Sequence, residues 1–132
     1  MEKHSELIKR TIIIFLVGFF LNAVWEVLHS TLYVHYKGGP ITSLVLLQAT
    51  FVDGLILAGL FFAAHVSRVR PQYFLLAGGV VIALGIEWWA LGTSRWAYAQ
   101  AMPLVPLVQT GLSPTVQLAY TGLVALLVAK RL

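Results

Sequence analysis

Four apolar stretches run through this chain, Thr11 to Tyr33, Ser43 to Val66, Gln72 to Leu91 and roughly Val108 to Ala129, and short segments between them hold most of the charge. Each is close to the roughly 20 residues that a helix needs to cross about 30 Å of hydrocarbon. A spanning β-strand would need only about ten residues of alternating polarity, and no stretch alternates in that way. Backbone N–H and C=O groups in lipid must be satisfied within the segment itself. The pattern therefore predicts an all-α polytopic membrane protein. It is read as a single domain, residues 1–132, built as a four-transmembrane-helix bundle with spans of about 11–33, 43–66, 72–91 and 108–129. The first stretch is too long for a signal peptide, and no small-residue cleavage site follows it before Tyr33, His35 and Tyr36.

The punctuation between the spans differs from one junction to the next. Lys37-Gly38-Gly39-Pro40 reads as a turn, and Arg68-Val69-Arg70-Pro71 as a tight hairpin whose proline opens the third helix. The segment from Trp96 to Leu112 is longer and apolar, and Pro103, Pro106 and Gly111 discourage continuous helix through it. Ser113-Pro114 has the form of an N-cap followed by proline at the first helical position, which offers a start for the fourth helix later than Val108. Residues 96–112 are then expected to form an apolar loop over the outer mouth of the bundle. No internal repeat or linker interrupts the chain.

Composition supports the same class. With 59% hydrophobic and 11% charged residues in 132, there is too little polar surface to coat a soluble globule. The absence of cysteine excludes disulfides, thiolate nucleophiles, iron–sulfur clusters and cysteine zinc sites. The net charge of +4 is spread singly or in pairs and forms no stripe, so no nucleic-acid partner is expected. It does suit topology. Lys3, Lys9, Arg10, Arg68, Arg70, Lys130 and Arg131 fall on one side of a four-span arrangement, and only Lys37 and Arg95 on the other. That bias assigns the N- and C-termini to the cytoplasm and the chain to the cell membrane as a multi-pass protein. Trp25, Trp88, Trp89 and Trp96 then sit toward the outer half, where amphipathic rings favour the headgroup region.

Polar residues inside the spans carry the functional signal, because an ionisable group at membrane depth costs a few kcal/mol even on lenient insertion scales. Glu26, Asp53 and Glu87 lie on three different helices. Counted from Arg10, Arg68 and Arg70, and at about 1.5 Å per residue, all three stand roughly 22 to 26 Å above the inner charged plane. Gln117 on the fourth helix joins this layer. Asn22, Glu26 and His29 are spaced i, i+4, i+7 and so share one stripe, and Gln117 and Thr121 share another. Gly54 and Ala58, with Gly79 and Ala83, are expected to let the second and third helices approach closely. Arg95 is the only arginine near the acidic layer and is expected to partner one of its carboxylates.

Each feature also has a plainer role. Asn22 and Gln117 suit interhelical hydrogen bonding, and a lone His29 is usually structural. Glu26-x-x-His29 matches half of a carboxylate-bridged di-iron motif, but that site needs the motif twice with two further glutamates. The expectation is no metal and no cofactor, although Glu26, His29, Asp53 and Glu87 would be the ligands of a metal site. The three carboxylates stand apart, since leucine would pack a bundle equally well.

Asn22-x-x-Trp25-Glu26, Leu32-Tyr33, Asp53, Glu87-Trp88-x-Ala90-Leu91, Arg95-Trp96-x-Tyr98, Met102-Pro103-x-x-Pro106 and Gly111-Leu112-x-Pro114-x-x-Gln117 together resemble a family of small four-span bacterial membrane proteins of uncharacterised activity. The match covers most of the chain. More distantly, the glutamate with its Trp-x-Tyr stretch and prolines is similar to carotenoid hydratases and small membrane lycopene cyclases, whose acidic signatures are not reproduced residue for residue. That resemblance implies acid catalysis on polyene ends.

Two functions remain open at this point. In one, Glu26, Asp53 and Glu87 are catalytic and perform acid–base chemistry of isomerase, hydratase or cyclase type on a lipid or isoprenoid. Asn22, Trp25, His29, Trp88, Trp89, Arg95 and Gln117 then line the substrate site, and the tryptophans shield a carbocation. Its partners are membrane lipid and a hydrophobic small-molecule substrate. In the other, the carboxylates bind a cation or proton in a transport component or an accessory subunit, and the chain works as a homo-oligomer or within a larger membrane complex.

Topology is directly testable. Cysteine introduced as Thr42→Cys should react with an impermeant maleimide added outside intact cells, and Ser67→Cys should not. The reverse pattern would overturn the orientation.

Overall fold

The computed structural model describes all 132 residues. Helix α1 (Glu2–His29) closes in a single 3-10 turn, Ser30–Leu32, and leads into strand β1 (Tyr33–Tyr36). Helices α2 (Ser43–Val66) and α3 (Pro71–Gly92) follow, then strand β2 (Trp96–Tyr98) and helix α4 (Leu112–Arg131). All four helices are long and apolar enough to cross a membrane. Their outward surface is apolar as well: Ile12, Leu16, Phe20 and Val27 of α1, and Leu44, Leu47, Leu55 and Phe62 of α2, are exposed. A contiguous apolar surface of that kind is unusual for a water-soluble monomer.

Local signals account for most helix ends. Thr42 caps α2, its Oγ1 accepting from the Val45 amide at 3.3 Å. Arg68 turns the chain out of α2 in the left-handed region (φ 57°), and Pro71 begins α3 where its missing N–H costs nothing. The next turn of α3, Phe74–Gly78, is a π-helix. Helix α1 starts about nine residues before the first apolar stretch, and an exposed Arg10–Glu6 pair at 2.9 Å supports that extension.

Two expectations about the fourth span are corrected. Residues 108–111 are not helical, because the segment folds back on itself: Val105 donates to Thr110 O at 2.7 Å and Leu112 donates to Pro103 O at 2.7 Å. The N-cap is Gly111, not Ser113, and no side chain caps it. The Ser113 hydroxyl is engaged elsewhere. The turn is held shut by Met102, whose sulfur would lie 2.7 Å from a Cβ placed on Gly111.

Helix α4 is the centre of the bundle. More than half of its most apolar window is buried, against 28% or less in the others. It packs against α1 on one side and α3 on the other, while α2 packs on α1. The small residues act at these seams. A Cβ on Gly79 would stand 2.9 Å from the Ala119 backbone nitrogen of α4, and one on Gly54 would stand 3.1 Å from the Phe15 ring of α1. Close approach therefore joins α2 to α1 and α3 to α4, and the expected α2–α3 seam is absent there. Contact between α2 and α3 is concentrated in Pro71–Gly78, where a Cβ on Gly78 would meet Leu60 at 2.8 Å. Ile14, Leu57, Phe61, Leu75, Leu118 and Leu126 fill the core of the bundle. Toward the end remote from the termini, α2 and α3 part.

A two-stranded antiparallel ribbon spans that remote end, pairing Tyr33 with Tyr98, His35 with Ala97 and Tyr36 with Trp96. The sequence pattern placed Tyr33 at the end of a span and Trp96 in a loop. Strands of three and four residues are too short to show periodicity, and this pairing joins residues sixty or more apart.

Candidate functional site

Where α2 and α3 separate, they leave a cavity of about 520 Å³. Its walls are largely apolar: Val45, Leu46, Ala49 and Val52 come from α2, Ala83 and Ile86 from α3, and Leu118 from α4. Glu26, His29, Asp53, Glu87 and Gln117 supply most of its polar lining, and Tyr33, Tyr36 and Trp96 of the ribbon close it from above with Trp89. Of residues 96–112, only Trp96 lines the cavity.

Gln117 is the hub of the polar side. Its Nε2 lies 2.9 Å from Asn22 Oδ1, 2.9 Å from Glu26 Oε1 and 3.0 Å from Asp53 Oδ2, which links α4 to α1 and α2 through one nitrogen. An amide nitrogen carries two hydrogens, so three acceptors must share them. Asn22 is fully buried behind the cavity. It donates to Gly18 O at 2.7 Å and to Thr121 Oγ1 at 3.1 Å, and so supports Gln117 without lining the site.

His29 lies between two different partners. Its Nδ1 is 2.8 Å from Ser113 Oγ and its Nε2 is 3.1 Å from Glu26 Oε2. Trp25 donates its indole N–H to the same serine oxygen at 3.0 Å. The network is satisfied when Ser113 donates to Nδ1 and the Nε2–H donates to the Glu26 carboxylate. The chain of contacts from Ser113 through His29 holds Glu26 at the cavity. No buried side-chain nitrogen or oxygen lacks a partner.

Glu87 is held differently. It accepts from the Tyr33 hydroxyl at 3.3 Å, the Trp96 indole N–H at 3.2 Å and the Tyr98 hydroxyl at 2.5 Å. All three donors come from the ribbon, so folding of the ribbon and satisfaction of this carboxylate are one event. Burial, reinforced by the Glu87 charge, pushes the Tyr33 phenol well above the ordinary range. Burial and the hydrogen bond to Glu87 do the same to Tyr98.

The cavity thus brings together Glu26, Asp53 and Glu87 with His29, Gln117 and Trp89. Others among the expected site residues lie outside it. Trp25 faces Tyr120, with ring centroids 5.7 Å apart, and is occupied by Ser113. Trp88 is half exposed and donates to Val108 O at 3.0 Å, pinning the loop. Arg95 makes no salt bridge with any carboxylate; its guanidinium stands 4.2 Å from the Trp89 ring centroid. Stacking on a ring leaves the guanidinium edge hydrated, which a carboxylate inside the bundle would not. His35 also lines the cavity. No group of three or more His, Asp and Glu side chains has the arrangement of a metal site.

Tyr33, Trp96, Tyr98 and Ser113 are the partners that residue-by-residue reading of the spans overlooked. The signal available was the need itself: a carboxylate among apolar side chains demands donors, and tyrosines and tryptophans flank the spans. No protein-family model, curated protein sequence or solved structure matches this chain.

The phenols yield a pH-dependent outcome. Only the neutral form donates to Glu87, so its stabilisation is complete below the ordinary phenol range of about 10 and is lost as pH rises through the raised folded values. Replacing Tyr33 and Tyr98 with Phe should leave the phenolate absorbance of the folded protein at about pH 11 unchanged. In denaturant, the same double replacement should remove two residues' worth of signal. A fall in the folded protein would show that these phenols ionise normally.

Proposed function

We propose that this chain is a multi-pass membrane protein with both termini in the cytoplasm, and that its cavity performs acid–base chemistry on a lipid or isoprenoid substrate. The observation that carries this reading is the meeting of three carboxylates and two histidines in one cavity whose walls are otherwise mostly apolar. Apolar walls suit a hydrocarbon chain, and the carboxyl groups suit proton transfer at its unsaturated end. The volume of about 520 Å³ falls in the range of small-molecule sites.

Hydrogen bonding distributes the roles. Glu87 accepts from three donors, an arrangement suited to stabilising positive charge beside it. Glu26 accepts from His29 and Gln117 and is poised to take a proton, with His29 behind it. Asp53 accepts from Gln117 at 3.0 Å and stands beside Glu26, so the pair can hold a proton that Asp53 delivers. Because Gln117 offers two hydrogens to three acceptors, a proton on the Glu26–Asp53 pair also relieves the shortage. Asp53 would protonate one carbon of a double bond, and Glu26 would remove a proton from the carbon next to the resulting cation. The double bond moves, and no atoms are gained or lost. The motif resemblance to polyene hydratases and cyclases implies the same class of chemistry.

Native mass spectrometry of gently extracted protein tests the reading. Wild-type protein should retain an apolar adduct of lipid or isoprenoid mass, and Ile86→Trp, which fills the cavity, should release it. Absence of any adduct, together with stabilisation by added monovalent cations, would overturn the enzyme reading in favour of a cation-binding component.

A further inference from the structure

Charge in the cavity is unbalanced. Three carboxylates line it, and no lysine or arginine makes a salt bridge with any of them; His29 Nε2 stands 3.1 Å from Glu26. The two basic residues at this end of the molecule are both drawn to rings outside the carboxylate cluster: Arg95 to Trp89 at 4.2 Å, and Lys37 to Tyr36 at 5.4 Å. Asp53 and Glu87 therefore have neutral donors and no lysine or arginine partner. An anion kept out of water without a counter-charge is costly, and a positively charged ligand removes that cost.

The remaining lining selects which cation. Tyr33, Tyr36 and Trp96 form a continuous aromatic wall: Tyr33 meets Trp96 edge-on with centroids 6.1 Å apart, and Tyr36 stacks on Trp96 at 6.4 Å. Ring faces attract weakly hydrated organic cations and give little to small, strongly hydrated metal ions. Below the wall, α2 and α3 diverge between Val45, Val52 and Ile86, so the cavity is bordered by apolar side chains on the flank where the two helices do not touch. A hydrocarbon chain can leave the site there and continue into surrounding lipid.

From these features we infer that the cavity is a binding site for a lipophilic organic cation, with its positive centre between the aromatic wall and Asp53 and Glu87 and its chain lying in the α2–α3 cleft. The inference rests on the reading of the cavity as a hydrophobic-ligand site and names the charge of that ligand's head. It fits a substrate that carries a substituted ammonium, and equally a carbon chain that becomes cationic during reaction, since an ammonium reproduces the charge of both.

The test uses full-length protein in neutral maltoside micelles and three probes with the same chain: dodecyltrimethylammonium, dodecanol and dodecyl sulfate, each below its micellar concentration. Binding is followed by tryptophan fluorescence and native mass spectrometry. The ammonium should bind at least tenfold more tightly than dodecanol, and the sulfate more weakly than either. Asp53→Asn and Glu87→Gln should each reduce the ammonium preference several-fold while leaving dodecanol binding in place, which also shows that the variants are folded. Equal binding of ammonium and dodecanol would overturn the cation site and leave the hydrophobic-ligand reading standing. Failure of all three probes to bind would remove both. An ammonium preference that survives in the double variant would also overturn the inference, because the selectivity would then come from elsewhere.

Discussion

A carboxylate among apolar side chains must find donors, and the structure is organised around meeting that demand three times. Glu87 obtains its donors from Tyr33, Trp96 and Tyr98, which ties the β1–β2 ribbon to α3. Glu26 obtains them from His29 on its own helix and from Gln117 on α4. Asp53 obtains one from Gln117. One glutamine side chain thereby fixes the relation of α1, α2 and α4, and Asn22 and Thr121 hold it in place from behind. Such polar contacts between apolar helices are worth about 1 kcal/mol each, modest in energy but specific in register.

Packing decides where the polar groups leave room. Between helices that share an apolar environment, close van der Waals contact does most of the joining, and small residues permit it. Gly79 against the Ala119 backbone and Gly54 against Phe15 draw α3 to α4 and α2 to α1. With both helices committed elsewhere, α2 and α3 meet only around Gly78 and Leu60, near the end that carries the termini. The opening at the other end follows from that allocation, and the carboxylates line the space it creates.

Much of this was legible in the sequence, for identifiable reasons. Four long apolar helices follow from apolar length, and the start of α3 at Pro71 follows from a proline. The gathering of Glu26, Asp53, Glu87 and Gln117 follows from depth counting along helices, which works because the rise per residue is constant. What the sequence did not disclose is which helix each face meets. Gly54 and Gly79 signal close approach but not its partner, so the α2–α3 seam was misplaced. Ser113-Pro114 imitates an N-cap, yet the serine hydroxyl serves Trp25 and His29. Arg95 lies near the acidic layer in sequence depth and turns to Trp89 in space. The ribbon was invisible because strands of three and four residues carry no periodicity, and long-range pairing leaves no local mark.

The central claim is that Gln117 and Asp53 act as one unit that holds α4 to α2 at the cavity. A double-mutant cycle on unfolding free energy in mild detergent, comparing Gln117→Leu, Asp53→Leu and the two combined, measures it most directly. Removing Gln117 alone strands a carboxylate, whereas removing both leaves apolar surfaces that can pack, so a coupling of about 1 kcal/mol or more is predicted, with the double variant more stable than the sum of single losses implies. Additivity of the two substitutions to within about 0.3 kcal/mol would contradict the account.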